Sequence, residues 1–185
     1  MKKGKLFIFS GPSGSGKTSI AEPLLKKLKF LKKVITCTTR KARKGEKNNL
    51  HYHFFSKKQF EKLLKEKKFL EHAIVYGNYY GSLRSEVEEV LASGKSVLFV
   101  VDVKGALSIK KKFPKTITIF IKTPTLGDLE KRLRTRGKDD AKAIKKRLSI
   151  AKRELKKSKE FDYIIVNDVL KDAIKETEKI IRKKQ

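Results

Sequence analysis

Short apolar runs alternate with helically spaced apolar positions along most of this chain. Lys5–Ser10 reads as a strand, followed by a glycine-rich turn and a helix over Lys17–Phe30. Val97–Asp102, Ile117–Ile121 and Tyr163–Val166 read as further buried strands. Between them, Thr125 is placed to cap a helix with Asp128 three residues on, and Leu126, Leu129 and Leu133 share one face. Asp168 precedes a closing helix with Ala173, Ile174, Thr177 and Ile181 on its buried stripe. Strands alternating with helices predict an α/β fold, a parallel core sheet flanked by helices. The stretch 35–94 differs. Tyr52–Phe55 and Phe69–Tyr76 read as strands, Ser56-Lys57-Lys58-Gln59 as a capping box for a helix burying Phe60, Leu63 and Leu64, and Gly77-Asn78 and Gly81 as turns. This predicts a small α+β insertion at 35–94 in a core of 1–34 and 95–185. The polar Lys138-Asp139-Asp140 after Arg136-Gly137 predicts a mobile helical lid at about 132–150.

Composition narrows the picture. The chain has 185 residues, 38% hydrophobic and 37% charged, enough for one α/β domain with a buried core. A single cysteine, Cys37, excludes an intrachain disulfide and fits a reducing cytoplasm. The longest apolar run, Val97–Val101, is far shorter than the roughly 20 residues of a membrane span, and Leu6–Phe9 is shorter than a secretory signal core. A formal net charge of +28 points towards nucleic acid or anionic membranes. Yet the lysines are scattered in groups such as Lys57-Lys58 and Lys110-Lys111-Lys112, and no RRM, KH or zinc-finger signature is present. The expectation is therefore solvated faces, with weak attraction for polyanions, no specific nucleic-acid partner and no membrane partner.

Gly11-Pro12-Ser13-Gly14-Ser15-Gly16-Lys17-Thr18 satisfies G-x-x-x-x-G-K-[ST] between an apolar strand and an apolar-periodic helix. Its glycines let backbone N–H groups turn inward on phosphate oxygens at a helix N-terminus. Lys17 is placed to reach the β- and γ-phosphates, and the Thr18 hydroxyl to ligate Mg²⁺. The motif implies ATP or GTP binding on a P-loop NTPase-type fold and leaves the reaction open.

Three further segments carry a family likeness: Thr36-Cys37-Thr38-Thr39-Arg40-Lys41-Ala42-Arg43-Lys44-Gly45-Glu46; Tyr76-Gly77-Asn78-Tyr79-Tyr80-Gly81-Ser82; and Arg132 through Arg136-Gly137 to Arg147. With the phosphate loop, in this order and spacing, the chain resembles the guanylate kinases over essentially its whole length. The resemblance implies ATP-dependent phosphorylation of GMP to GDP with Mg²⁺, by a cytoplasmic monomer or homodimer, and makes 35–94 the GMP-binding region.

The residues make chemical sense in those roles. Arg40 and Arg43, three apart on a loop, form a guanidinium pair able to fork onto a monophosphate, and Tyr52 and Tyr80 can add phenolic donors. Guanine offers two adjacent donors, N1–H and the N2 amine, beside the O6 acceptor, so a carboxylate and a hydroxyl suit it. Glu71 matches the family's guanine-reading glutamate, Thr36 and Ser82 its base-contacting hydroxyls, and Asp102 a second carboxylate near the base. Arg132, Arg136 and Arg147 match arginines that cross the phosphates on closure, and charge spread over the transferring group is what such arginines stabilise. Lys17, Arg43, Arg136 and Arg147 are thus the expected catalytic set. Asn167-Asp168 matches an adenine-side contact, while Asp168 equally suits a helix N-cap.

Departures from the family are specific. Its usual D-x-D is here Val100-Val101-Asp102, so the first carboxylate is absent. Asn49 stands where a glycine is common, and tolerates a left-handed backbone. Three alternatives are a related small-molecule P-loop kinase such as a ribosyl-bisphosphate kinase, a non-catalytic guanylate-kinase-like interaction module, and a nucleic-acid binder. The guanine-reading set argues against the first, the intact phosphate loop and lid arginines against the second, and the scattered charge against the third.

Overall fold

The computed structural model describes residues 4–43, 45–75, 77–137 and 140–185; Met1–Lys3, Lys44, Tyr76, Lys138 and Asp139 lie outside the described residues. From the N-terminus come β1 (Leu6–Ser10), α1 (Lys17–Lys27), β2 (Leu31–Lys33), β3 (Cys37–Thr38) and β4 (His53–Phe54). Then follow α2 (Lys57–Lys65), β5 (Phe69–Val75), β6 (Asn78–Leu83), α3 (Arg84–Ala92), β7 (Ser96–Val100) and α4 (Val103–Lys112). The chain ends with β8 (Ile117–Lys122), α5 (Leu126–Thr135), α6 (Ala141–Lys156), a 3₁₀ turn (Lys157–Glu160), β9 (Tyr163–Val166) and α7 (Leu170–Lys184).

The core sheet is parallel, ordered β2-β7-β1-β8-β9, with Leu6 opposite Val97 and Phe7 opposite Ile117. Because side chains alternate along a strand, β1 feeds both faces of the sheet. Phe7 and Phe9 pack with Ile20 and Leu24 of α1 and Ala173 and Ile181 of α7. Ile8 packs on the other face with Phe99, Phe120, and Val103, Ala106 and Ile109 of α4. A smaller mixed sheet, ordered β4-β3-β6-β5, forms the 35–94 segment and buries Cys37, Phe60 and Phe69. Burial pushes the Cys37 thiol up to about 12, with Glu86 and Glu71 adding to it.

Both expected capping boxes are present, Ser56 with Gln59 and Thr125 with Asp128. Leu129 and Leu133 are buried on α5, and Ala173, Thr177 and Ile181 on α7. Asn49 adopts φ 59, the left-handed backbone anticipated for it.

Several boundaries differ from expectation. The first helix stops at Lys27 rather than Phe30, because the chain turns to lay β2 on β7 with Leu31 opposite Ser96. The strand expected over Val97–Asp102 ends at Val100, and Asp102 caps α4 instead, its Oδ1 accepting from the Gly105 N–H at 2.8 Å. Gly77, at φ 79, does turn the chain, but Gly81 lies within β6 rather than in a turn. There a Cβ would sit 2.9 Å from the Glu71 carbonyl oxygen and 2.9 Å from Phe69 Cδ1, so only glycine lets β5 and β6 close over Phe60. Asp168 is not a helix cap: α7 begins at Leu170 with Val169 in the capping position and no side-chain cap.

Candidate active site

The phosphate loop leaves the C-terminal end of β1 and enters α1, with positive φ at Gly11 (130°), Gly14 (91°) and Gly16 (94°), a conformation that costs glycine little. Gly14 packs on Leu129 and Leu133, tying the loop to α5. Lys17 Nζ donates back to the loop, to the Gly11 carbonyl at 2.6 Å and the Pro12 carbonyl at 2.9 Å. Burial lowers the Lys17 ammonium to about 8, against the opposing pull of Glu154 and Asp102. Bound phosphates would raise it again, since an adjacent anion favours the protonated form.

A cleft of about 520 Å³ runs from this loop to the small sheet. It is lined by Gly11, Ser13, Lys17 and Thr18 at one end and by Thr36, Tyr52, Glu71, Tyr80 and Asp102 at the other, so these expected site residues share one cavity. Glu71 is 3% exposed and accepts from the Ser82 hydroxyl at 2.9 Å. Burial raises its carboxyl to about 7; Ser82 and Lys112 pull it down and Asp102 pushes it up. Gly105 makes room for both carboxylates: a Cβ there would lie 3.0 Å from Asp102 Oδ1 and 3.6 Å from Glu71 Oε2.

The two loop arginines are not equivalent. Arg40 forks onto Glu46, Nη1 to Oε2 and Nη2 to Oε1, both at 2.9 Å, and lies over the Tyr52 ring at 5.3 Å. Burial works against its charge, but Glu46 and the Tyr80 hydroxyl raise its pKa further. Glu46 also accepts from the Arg43 N–H at 2.7 Å, while the Arg43 side chain is exposed. Arg40 is therefore fixed in place, and Arg43 is the arm left in solvent.

From α6, Arg147 Nη1 donates to the Ser13 hydroxyl at 2.7 Å, so this helix touches the phosphate loop. Arg132 Nη2 donates to the Asn167 carbonyl at 2.7 Å and the Asp168 carbonyl at 3.3 Å. Arg136 ends α5 exposed and outside the cleft lining. The Asn167 side chain is turned inward. It is 3% exposed, and its Nδ2 donates to the Ser15 carbonyl at 2.8 Å, pinning the loop from below, whereas Asp168 is exposed.

Sequence reasoning missed Ile150, Arg153, Glu154 and Lys157, which α6 and the turn after it present to the cleft. Burial raises the Glu154 carboxyl to about 7, with Lys17 opposing. The signal available was its spacing: Arg147, Ile150 and Glu154 at i, i+3 and i+7 fall on one helix face.

A phosphate loop facing a buried carboxylate across one cleft, with arginines on the loop after β3 at one side and on α5 and α6 at the other, defines a P-loop nucleotide kinase. A sequence model described as guanylate kinase matches residues 3–184. A guanylate kinase of Vibrio parahaemolyticus is 44% identical over 184 residues, covering 98% of this chain and 89% of its own. One from Rickettsia felis is 45% identical over 179 residues, covering 97% and 93%. The crystal structure of guanylate kinase from Anaplasma phagocytophilum superposes with a TM-score of 0.84 at 30% identity, covering 100% of this chain and 87% of that one. The chain belongs to the guanylate kinase family.

Proposed function

We propose that this enzyme transfers the γ-phosphoryl group of ATP to GMP, yielding ADP and GDP. A GMP phosphate oxygen attacks the γ-phosphorus while the bond to the β,γ-bridging oxygen breaks and ADP leaves. The observation that carries the choice of acceptor is Glu71, a buried carboxylate braced by Ser82 in the cleft that opens onto the phosphate loop. Its two oxygens suit guanine N1–H and the N2 amine, while Thr36, Ser82 and Asp102 offer the remaining polar contacts to the base.

In this reading Arg40, Arg43, Tyr52 and Tyr80 hold the GMP phosphate. Arg40 is preorganised by Glu46 and the Tyr52 ring, and so loses little freedom when phosphate arrives. Gly11 to Thr18 hold the ATP phosphates, Lys17 turning from the loop carbonyls onto the nucleotide. Arg132 and Asn167-Asp168 flank the far side of the loop, where the base of ATP would lie; Asn167 serves by holding the loop's shape. Arg136 and Arg147 stabilise charge on the transferring group as the lid excludes water. The cleft's polar lining is oxygen and cationic nitrogen, with no thiol or imidazole, which suits the hard Mg²⁺ ion expected of such kinases. The Thr18 hydroxyl would hold it, and when bound it neutralises phosphate charge.

Residues 1–34 and 95–185 act in this reading as the core, 35–94 as the GMP-binding region and about 132–150 as the lid. A cytoplasmic enzyme, monomeric or homodimeric and without a specific nucleic-acid or membrane partner, fits its one buried thiol; no helix among the described residues is long and apolar enough to cross a membrane. Coupled ADP release with ATP and each of GMP, dGMP, AMP, UMP and CMP tests the reaction: GMP should be far the best of the ribonucleotides, and AMP or a pyrimidine equalling it would overturn the reading.

A further inference from the structure

Helix α6, AKAIKKRLSIAKRELK, carries seven basic residues and a single carboxylate, Glu154. Glu154 faces the cleft together with Lys17, Thr18 and Asp102, and its neighbours Arg153 and Lys157 line the same cleft. Among the described residues its carboxylate takes no hydrogen bond and no close ion pair, and the charges that act on it are Lys17 and Asp102. It shares its helix face with Arg147, two turns earlier, which reaches Ser13 of the phosphate loop.

A second observation comes from the sheet. Strand β7 runs parallel to β1, and its C-terminal end opens beside the phosphate loop. In phosphate-loop enzymes a carboxylate from such a strand joins the loop hydroxyl in holding Mg²⁺. Here the strand ends in Val100, whose apolar side chain lines the cleft and offers no ligand. The next candidate, Asp102, has one oxygen committed to the Gly105 N–H at the start of α4. Magnesium retains several waters, each needing acceptors, and usually draws on one or two carboxylates besides substrate phosphates.

We propose that Glu154 supplies, from the lid helix, the outer carboxylate of the metal–nucleotide site, accepting from the metal's water shell where Val100 cannot. The inference rests on reading the loop as a Mg²⁺·ATP site. Because the carboxylate rides on α6, metal retention and lid position are linked: a lid swung away takes the acceptor with it. The contribution is one of positioning, through water, and Glu154 need not touch the transferring phosphoryl group.

The test is Mn²⁺ binding, followed by the electron paramagnetic resonance signal of the free ion, to the enzyme saturated with the imido analogue of ATP. Loss of an outer-shell partner typically weakens metal affinity by ~10–100-fold. Glu154→Gln should therefore release Mn²⁺ at least about tenfold more readily than the parent, while its affinity for the analogue in chelator is unchanged or higher, a negative charge having gone. Val100→Asp should restore Mn²⁺ retention in the Glu154→Gln background and add much less to the parent. Unchanged Mn²⁺ retention in Glu154→Gln overturns the proposal, as does an equal gain from Val100→Asp in both backgrounds. Should Glu154→Gln fail to fold, Glu154→Asp, which withdraws the carboxylate by one methylene, must show the same direction of loss. Failure of the parent enzyme to hold Mn²⁺ better than the free analogue would instead refute the underlying reading of the loop.

Discussion

Replacing Glu71 by glutamine keeps its shape and changes its chemistry. The wild-type carboxylate can accept from both guanine donors, each a hydrogen bond to a charged group contributing roughly 1.5–3 kcal/mol. Glutamine retains one acceptor and sets an amide N–H₂ against the second donor, so one charged bond is lost and a buried donor is left unpaired at a further ~1–3 kcal/mol. The combined loss of about 3–6 kcal/mol corresponds to a fall in kcat/KM for GMP of roughly 10²–10⁴. AMP should lose little, because the new N–H₂ can donate to the adenine N1 acceptor, so the preference for GMP should shrink chiefly through the loss on GMP. The assay is coupled ADP release with each nucleotide at pH 8. A folded variant that keeps the full GMP preference would refute the assignment and move base reading to Asp102 and Ser82. Stability without nucleotide should move the opposite way. Burial raises the Glu71 carboxyl from 4.5 to about 7. Between those values the folded chain holds a proton that the unfolded chain has lost, so stability falls as pH rises through that window. At about 1.36 kcal/mol per unit, the accumulated cost above pH 7 is of order 3 kcal/mol. Glu71→Gln should therefore melt higher than the parent at pH 8, by roughly 2–4 °C per kcal/mol, with the advantage gone below about pH 4.5. An unchanged or lowered melting temperature at pH 8 would show that the carboxylate is better solvated than its burial implies.

Arg136→Ala and Arg147→Ala should each lower kcat by ~10²–10³ while weakening GMP binding far less, and a kcat within about threefold of the parent would remove that arginine from the catalytic set. Asn167→Ala, which deletes the 2.8 Å bond to the Ser15 carbonyl, should cost ~1–3 kcal/mol in thermal or urea unfolding and raise KM for ATP more than for GMP. Equal effects on the two substrates would show that Asn167 does not act through the phosphate loop. Duplex DNA should bind only non-specifically, near ~10⁻⁴–10⁻⁶ M at physiological salt by fluorescence anisotropy. Sequence-selective binding would show that the positive charge is organised for base reading.

What was legible in the chain tracks how local its cause is. The phosphate loop, the Thr125–Asp128 and Ser56–Gln59 boxes and the run Tyr163–Val166 depend on residues within a few positions of one another, and each forms as expected. Strand β2 was hidden because Lys32 and Lys33 are exposed at a sheet edge, and only pairing with β7 makes them a strand. Gly81 read as a turn because glycine usually marks one; its reason is the close approach of Glu71, Phe69 and Phe60, all of them ten or more residues away. The cleft residues Thr36, Glu71 and Asp102 were found through the family's motifs. Neither Arg40's engagement by Glu46 nor Asn167's grip on Ser15 has a local signature. Glu154 was lost among lysines, because charge on a helix says nothing of which face it occupies until Arg147 and Ser13 set the helix's rotation.

The central position of β1 has a consequence for how the chain is made. Phe7, Ile8 and Phe9 are 0% exposed in the finished sheet, yet their partners lie at Leu98 to Val100 on one side and at Ile117 to Ile119 on the other. At a synthesis rate of about 5–20 residues per second, this strand waits roughly 5–20 s on the ribosome before both neighbours exist. Throughout that interval its unpaired edges are a template for pairing with the same strand of another nascent chain. Lys2, Lys3 and Lys5 stand immediately before Leu6, where charges flanking an unavoidable apolar strand oppose such pairing. The net positive charge of the chain, +28 when complete, adds repulsion between sister chains to that of these flanking lysines.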